Sequence, residues 1–86
     1  MTEQQFQSKL IKEYEGKGYY VLKLIKTNKN GIPDLLCLKR GEVPMFVEVK
    51  KEGGKPSPLQ EFRIKELNEL GFIAFINYPF CKEITK

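Results

Sequence analysis

The chain has 86 residues, a formal charge of +4 and a pI of about 9.1, with two cysteines, no histidine and no tryptophan. Asp34 is its single aspartate, beside ten glutamates. These counts exclude a Ser-His-Asp triad, a Cys-His pair and a classical zinc finger, so any catalysis must run on carboxylates and lysines, with or without a hard metal ion.

Thr2 and Gln5 have the spacing of a capping box, which predicts a helix from Glu3 to Gly16 or Gly18. Phe6, Leu10, Ile11 and Tyr14 form its apolar face, and Glu3 points the same way. Glu13 and Glu15 are turned off that face by about 80° and 120°. Tyr19 to Lys26 reads as a first strand, and the loop Thr27–Gly31 follows. Asp34 to Lys39 and Val43 to Lys51 read as an antiparallel hairpin joined through Gly41. Ser57, Pro58 and Gln60 open a second helix whose inner stripe is Leu59, Phe62, Leu67 and Leu70, and Gly71 stops it. The apolar run Phe72–Asn77 is expected to be a strand buried on both faces. The tail from Phe80 to Lys86 is expected to make a short turn. The order is αβββαβ, an α/β fold with a small mixed sheet flanked by helices, the last strand parallel to the third.

A chain this short buries only about 60–65% of its unfolded surface, so we expect one domain over residues 1–86. No apolar run reaches membrane-span length, and no secretory leader pattern opens the chain. Cys37 and Cys81 read as free thiols in a reducing cytoplasm. Lys23, Lys26, Lys29, Lys39, Arg40, Lys50, Lys51 and Lys55 give the centre a basic excess that suits a phosphate-rich partner such as nucleic acid. The same pattern fits an ordinary lysine-rich solvated surface.

Alternation along the third strand sends Phe46, Glu48 and Lys50 to one face, and Met45, Val47 and Val49 to the other. If the hairpin brings Asp34 beside Glu48, the two carboxylates suit an octahedral Mg²⁺ or Mn²⁺, with Lys50 close enough to offset charge on a phosphate. Each residue also has a plainer reading. Glu48 and Lys50 can form a surface ion pair, Asp34 can shape a turn, and Glu3 can complement the helix dipole.

Pro33-Asp34 followed by Glu48-Val49-Lys50 resembles the PD-(D/E)xK nuclease superfamily. Gly31 to Leu36, Phe46 to Lys50, Gly54-Lys55 with Ser57 to Gln60, and Leu70 to Phe72 together look like the VRR-NUC family over about Glu3 to Ile76. The resemblance implies a restriction-endonuclease-like fold. It implies metal binding by Asp34, Glu48 and the Val49 carbonyl, with Glu3 as the first-helix acid at the same metal. Lys50 would assist the attacking water or the scissile phosphate, and Gln60 would support the site. Gln60 is also what a capping box requires, so both roles stay open for it. Lys23 matches a first-strand lysine near phosphate, and Lys29, Lys51 and Lys55 are further candidate DNA contacts.

The resulting expectation is a Mg²⁺- or Mn²⁺-dependent DNA endonuclease resolving four-way (Holliday) junctions as a homodimer, in the cytoplasm of a bacterial or phage-infected cell. Tyr19, Tyr20, Ile73, Phe75, Tyr78 and Phe80 are candidates for the dimer surface. The alternatives are a non-catalytic nucleic-acid-binding module of the same fold, and a flap or duplex nickase.

Overall fold

Two helix starts and four short strands account for nearly every regular residue in the computed structural model, which describes residues 1–79. Helix α1 spans Glu3–Gly16. Thr2 Oγ1 accepts the Gln5 N–H and Gln5 Oε1 accepts the Thr2 N–H, satisfying two amides that a helix start leaves unpaired. Of the two glycines at its end, Gly18 does the stopping. It takes φ +96°, and the amides of Gly18 and Tyr19 bond back to the carbonyls of Glu15 and Tyr14. Helix α2 (Pro58–Glu69) repeats the scheme, with Ser57 and Gln60 at its start and Gly71 past its end.

The strands are β1 (Tyr20–Lys23), β2 (Leu35–Leu38), β3 (Met45–Val49) and β4 (Ile73–Asn77), in the spatial order β1-β2-β3-β4. The first three are antiparallel and β4 runs parallel to β3, as the sequence order predicts. All four strands are shorter than the runs expected from the sequence. Pro44 has no amide hydrogen to donate, so β3 starts after it rather than at Val43. The amide of Leu24 bonds the Asp34 carbonyl at 2.7 Å, and beyond that bond β1 has no strand to pair with. Asp34 thus stands just before β2.

Helix α1 covers one face of the sheet. Phe6, Leu10 and Tyr14 pack on Leu35, Cys37, Val47 and Val49, with Ile11 at the margin. Each fully buried aliphatic or aromatic side chain there contributes about 1.5–3 kcal/mol. Cys37 is a free thiol within this core, and burial pushes its pKa up to about 11, so it behaves as a small apolar group. Cys81, Phe80 and the expected C-terminal turn lie outside the described residues.

The opposite face departs from the sequence reading. Only Leu67 of the expected α2 stripe is buried, while Leu59, Phe62 and Leu70 are exposed. The reason is geometric: α2 packs mainly on β4 and not across the sheet. Strand β4 is an edge strand rather than one buried on both faces, and Ile73 is 46% exposed. Its outer edge is partly satisfied by a side chain. The Asn68 carboxamide accepts from the Ala74 amide and donates to the Ala74 carbonyl, both at 3.0 Å, as a neighbouring strand would.

Among the described residues, the candidate dimer residues do not form one patch. Tyr20 and Ile73 are exposed but lie on opposite edge strands. Tyr19 and Phe75 pack against the core, and Tyr78 is half-buried.

Candidate functional site

Both helices point their N-termini at one end of the sheet, where β3 ends and β2 begins. Three segments place the side chains there. The first is the loop Gly31-Ile32-Pro33-Asp34. Gly31 takes φ +82°, and a Cβ on it would sit 2.7 Å from Leu59 Cγ and 3.2 Å from the Leu59 carbonyl oxygen. Only glycine fits, because part of the obstacle is backbone. Arg63 Nε holds the same loop through the Asn30 carbonyl at 2.9 Å. Leu59 and Arg63 therefore dock the loop on α2. Sequence reasoning missed both contacts, since nothing local signals a bond to a residue 33 positions away.

The docked loop delivers Asp34. Its Oδ2 accepts the Val49 amide at 2.9 Å, which brings the carboxylate beside the neighbour of Glu48. This bond fixes one of the two carboxylate oxygens.

Glu48 comes from β3, on the face that α2 covers, as the alternation predicted. It is only 2% exposed. Its Oε2 accepts from Gln60 Nε2 at 3.1 Å and lies 3.5 Å from Lys50 Nζ. Its Oε1 is buried and has no hydrogen-bond partner among the described residues. A buried carboxylate oxygen without a partner costs on the order of 1–3 kcal/mol or more. Burial and the neighbouring Asp34 carboxylate raise the Glu48 pKa to about 7, Lys50 opposes the rise, and Glu3 adds a smaller upward push. At neutral pH this group is poised between acid and base.

Gln60 makes two side-chain bonds. Its Oε1 closes the capping box on the Ser57 amide at 2.8 Å, while its Nε2 reaches Glu48. Glu3 arrives from α1: its Oε2 accepts the Lys51 amide at 3.1 Å, just past the end of β3. It thus reaches the rim of the site and is committed to a backbone bond there. Among the described residues, no three Asp, Glu, Cys or His side chains form a group that could hold a metal ion by themselves. The two central carboxylates, Asp34 and Glu48, form a hard, oxygen-only set.

Of the candidate DNA contacts, Lys23, Lys29, Lys51 and Lys55 are all exposed. Lys23 pairs in register with Leu35, next to Asp34, and Lys51 follows Lys50 at the end of β3. Lys29 lies in the β1–β2 loop, away from β3.

A small mixed α/β sheet of four strands with two helices, carrying a carboxylate pair and a lysine at one end, is consistent with a restriction-endonuclease-like domain of the nuclease type. The VRR-NUC domain family matches residues 2–78, and the chain belongs to this family. Membership makes it a nuclease-type domain, with DNA as the implied substrate. No curated protein and no solved structure matches the chain. None of the helices is long and apolar enough to cross a membrane, among the described residues.

Proposed function

We propose that this chain is a divalent-metal-dependent endonuclease that hydrolyses DNA phosphodiester bonds, acting as a homodimer on branched DNA such as four-way junctions. The observation that carries the reading is Glu48. A carboxylate is sunk into the fold beside a second acid, with one oxygen held by Gln60 and Lys50 and the other without a partner. Burying a charge this way is expensive unless a cation compensates it.

The residues fit Mg²⁺ or Mn²⁺. Asp34 and Glu48 would hold the ion with the Val49 carbonyl, and Glu3 would reach it through water, since its own oxygen bonds Lys51. Too few carboxylates for a full shell suits Mg²⁺, which keeps several waters. When bound, the ion supplies an activated water and offsets charge on the phosphate. The chain's own groups do the rest. The Val49 amide fixes Asp34, and Gln60 fixes Glu48 in a single orientation. Lys50 Nζ, tethered by Glu48, stands where it can orient the water or stabilise the developing phosphate charge. Exposed Lys23, Lys29, Lys51 and Lys55 supply sequence-independent contacts to the backbone.

The dimer reading rests on branch geometry: a two-fold pair presents two sites, as paired cuts on a junction require. Exposed Tyr20 and Ile73 offer apolar area, one on each edge strand. Free, buried Cys37 suits a reducing cytoplasm.

One cleavage panel tests these statements together. Labelled four-way junctions, flaps and linear duplex are incubated with Mg²⁺, Mn²⁺ or EDTA, beside Asp34→Ala and Lys50→Ala. We expect paired, metal-dependent cuts on the junction that both variants abolish. Retention of DNA without any product would make the domain a binding module, and equal cutting of linear duplex would make it a nickase. Gel filtration at working concentration should show twice the 10.0 kDa chain mass.

A further inference from the structure

The residue before Lys26 is out of character for its position. Ile25 is 86% exposed, more than any other large apolar side chain among the described residues. It is not on a drifting tail. The preceding amide, that of Leu24, bonds the Asp34 carbonyl at 2.7 Å, so Ile25 is one residue from a direct backbone link to the proposed metal ligand. The loop that carries it is braced at several points. Thr27 Oγ1 donates to the Lys29 carbonyl at 2.6 Å and accepts the Lys29 amide at 3.3 Å. Arg63 holds Asn30, and Gly31 packs against Leu59. An exposed isoleucine on a free loop would be unremarkable, but one on a braced loop has a fixed direction.

Its surroundings specify the partner. Residues 16–33 contain Lys17, Lys23, Lys26 and Lys29 and no acid, so this stretch alone carries a charge equal to the +4 of the whole chain. Lys26 and Lys29 line, with Ile25, an open cleft of about 280 Å³. Neither Lys23, Lys26 nor Lys29 makes an ion pair among the described residues. An apolar tip framed by uncompensated lysines does not suit a protein partner's apolar patch, which would bury those charges. It suits DNA, where lysines take phosphates while an apolar side chain enters between bases.

We infer that Ile25 is a wedge that enters the base stack beside the cut, with Lys26 and Lys29 on the flanking phosphates. This rests on the nuclease reading above and goes further. It assigns the β1–β2 loop to selecting DNA whose stacking is already weakened, as at a branch point. Unstacking a base step costs a few kcal/mol, less where stacking is already broken, so a wedge favours branched over linear DNA.

The test uses the full chain with Ca²⁺ replacing Mg²⁺ to keep the DNA whole, and 2-aminopurine placed at the branch of a four-way junction. Wild type should raise its fluorescence on binding. Ile25→Ala should lose most of that rise with binding weakened by no more than about threefold, and should cut the junction about tenfold more slowly with Mg²⁺. Ile25→Phe should restore both. Equal fluorescence for wild type and Ile25→Ala, no rise in a wild-type complex, or failure of Ile25→Phe to rescue would each overturn the wedge. A wild type that unstacks the branch without ever cutting overturns the nuclease reading and keeps the wedge. One that cuts normally with no Ile25-dependent signal does the reverse. Absence of any DNA binding overturns both.

Discussion

The helices α1 and α2 begin with the same device, a hydroxyl residue at the cap and a glutamine three places on, and both starts face the same end of the sheet. In α1 the glutamine does one thing: Gln5 closes the box on Thr2. In α2 the glutamine has a second partner, because Gln60 Nε2 donates to the buried Glu48. The site's contact from α1 is made by a different residue, Glu3, through the Lys51 amide. Identical local motifs therefore carry different loads: the Gln60 side chain reaches the buried Glu48, whereas Gln5 is exposed.

The largest expected effect removes what the second helix start holds. Asp34→Ala or Glu48→Ala should lower single-turnover cleavage by about a thousandfold or more, since several kcal/mol of transition-state stabilisation would depend on the ion we propose they hold. Circular dichroism melts should show both variants folded. Unchanged cleavage in either would dissolve the site and leave the two helix starts equivalent.

Protonation of Glu48 gives the next effect. Its folded pKa, raised from 4.5 to about 7, lies above the unfolded value, so the folded state binds the extra proton between them. Stability from this group is complete below about pH 4.5 and is lost as pH rises through about 7, a change of about 3 kcal/mol. Glu48→Gln should remove that slope. Urea melts of the metal-free protein should show the variant more stable than wild type at pH 8 and little different at pH 4.5, although it cannot cut DNA. Cleavage by wild type at limiting metal should also rise with pH, because Glu48 must be deprotonated to hold the proposed ion.

The glutamines themselves come third. Gln5→Ala should cost about 0.5–1.5 kcal/mol in chemical denaturation, the worth of one hydrogen bond at a helix start, and Gln60→Ala about 1–3 kcal/mol more, because it also strips a partner from buried Glu48. Only Gln60→Ala should also slow cleavage, by about 10- to 100-fold, as losing the partner of a metal ligand does. Glutamate can close a capping box as well as glutamine, so Gln60→Glu should keep the capping bond while losing the bond to Glu48. It should still lose activity, because it has no amide to donate and brings a third charge to the site. Gln5→Glu should be silent in both assays. If Gln60→Glu cut DNA normally, the second bond of Gln60 would be incidental.

The part of this that was legible in the sequence was the part fixed locally. Caps, glycine stops and the hairpin depend on neighbours a few positions apart, and alternation alone put Glu48 and Lys50 on one face. The family match adds nothing to how Glu48 is held. What was not legible depended on where α2 lands. Leu59, Phe62 and Leu70 satisfy helical spacing, but the helix sits over an edge strand, and Leu59 is spent on Gly31. The run from Phe72 to Asn77 looked like a central strand because apolar content does not encode neighbour number. Gln60 carried a cap signature, so only the family resemblance pointed to a site role for it, and no pattern could show that Glu48 would be left with one oxygen unpaired.

The smallest effect separates the helices by their first-turn acids. Glu3 in α1 and Glu61 in α2 are both exposed and both complement a helix dipole, so neutralising either should cost about 0.3–1 kcal/mol at low salt. Dipole stabilisation alone predicts identical variants. Glu3, however, also accepts the Lys51 amide and bears on the charge of Glu48, and Glu61 makes no side-chain hydrogen bond or ion pair among the described residues. Glu3→Gln should therefore slow cleavage by a few-fold and move the midpoint of its pH profile slightly downward, because one of the groups raising the Glu48 pKa is gone. Glu61→Gln should leave rate and midpoint where they are. Raising the salt should shrink the stability cost of both variants alike, since the dipole term is screened, while the difference in rate persists. Equal kinetics for the two would reduce Glu3 to an ordinary first-turn acid, and the site would then belong to α2 and the sheet alone.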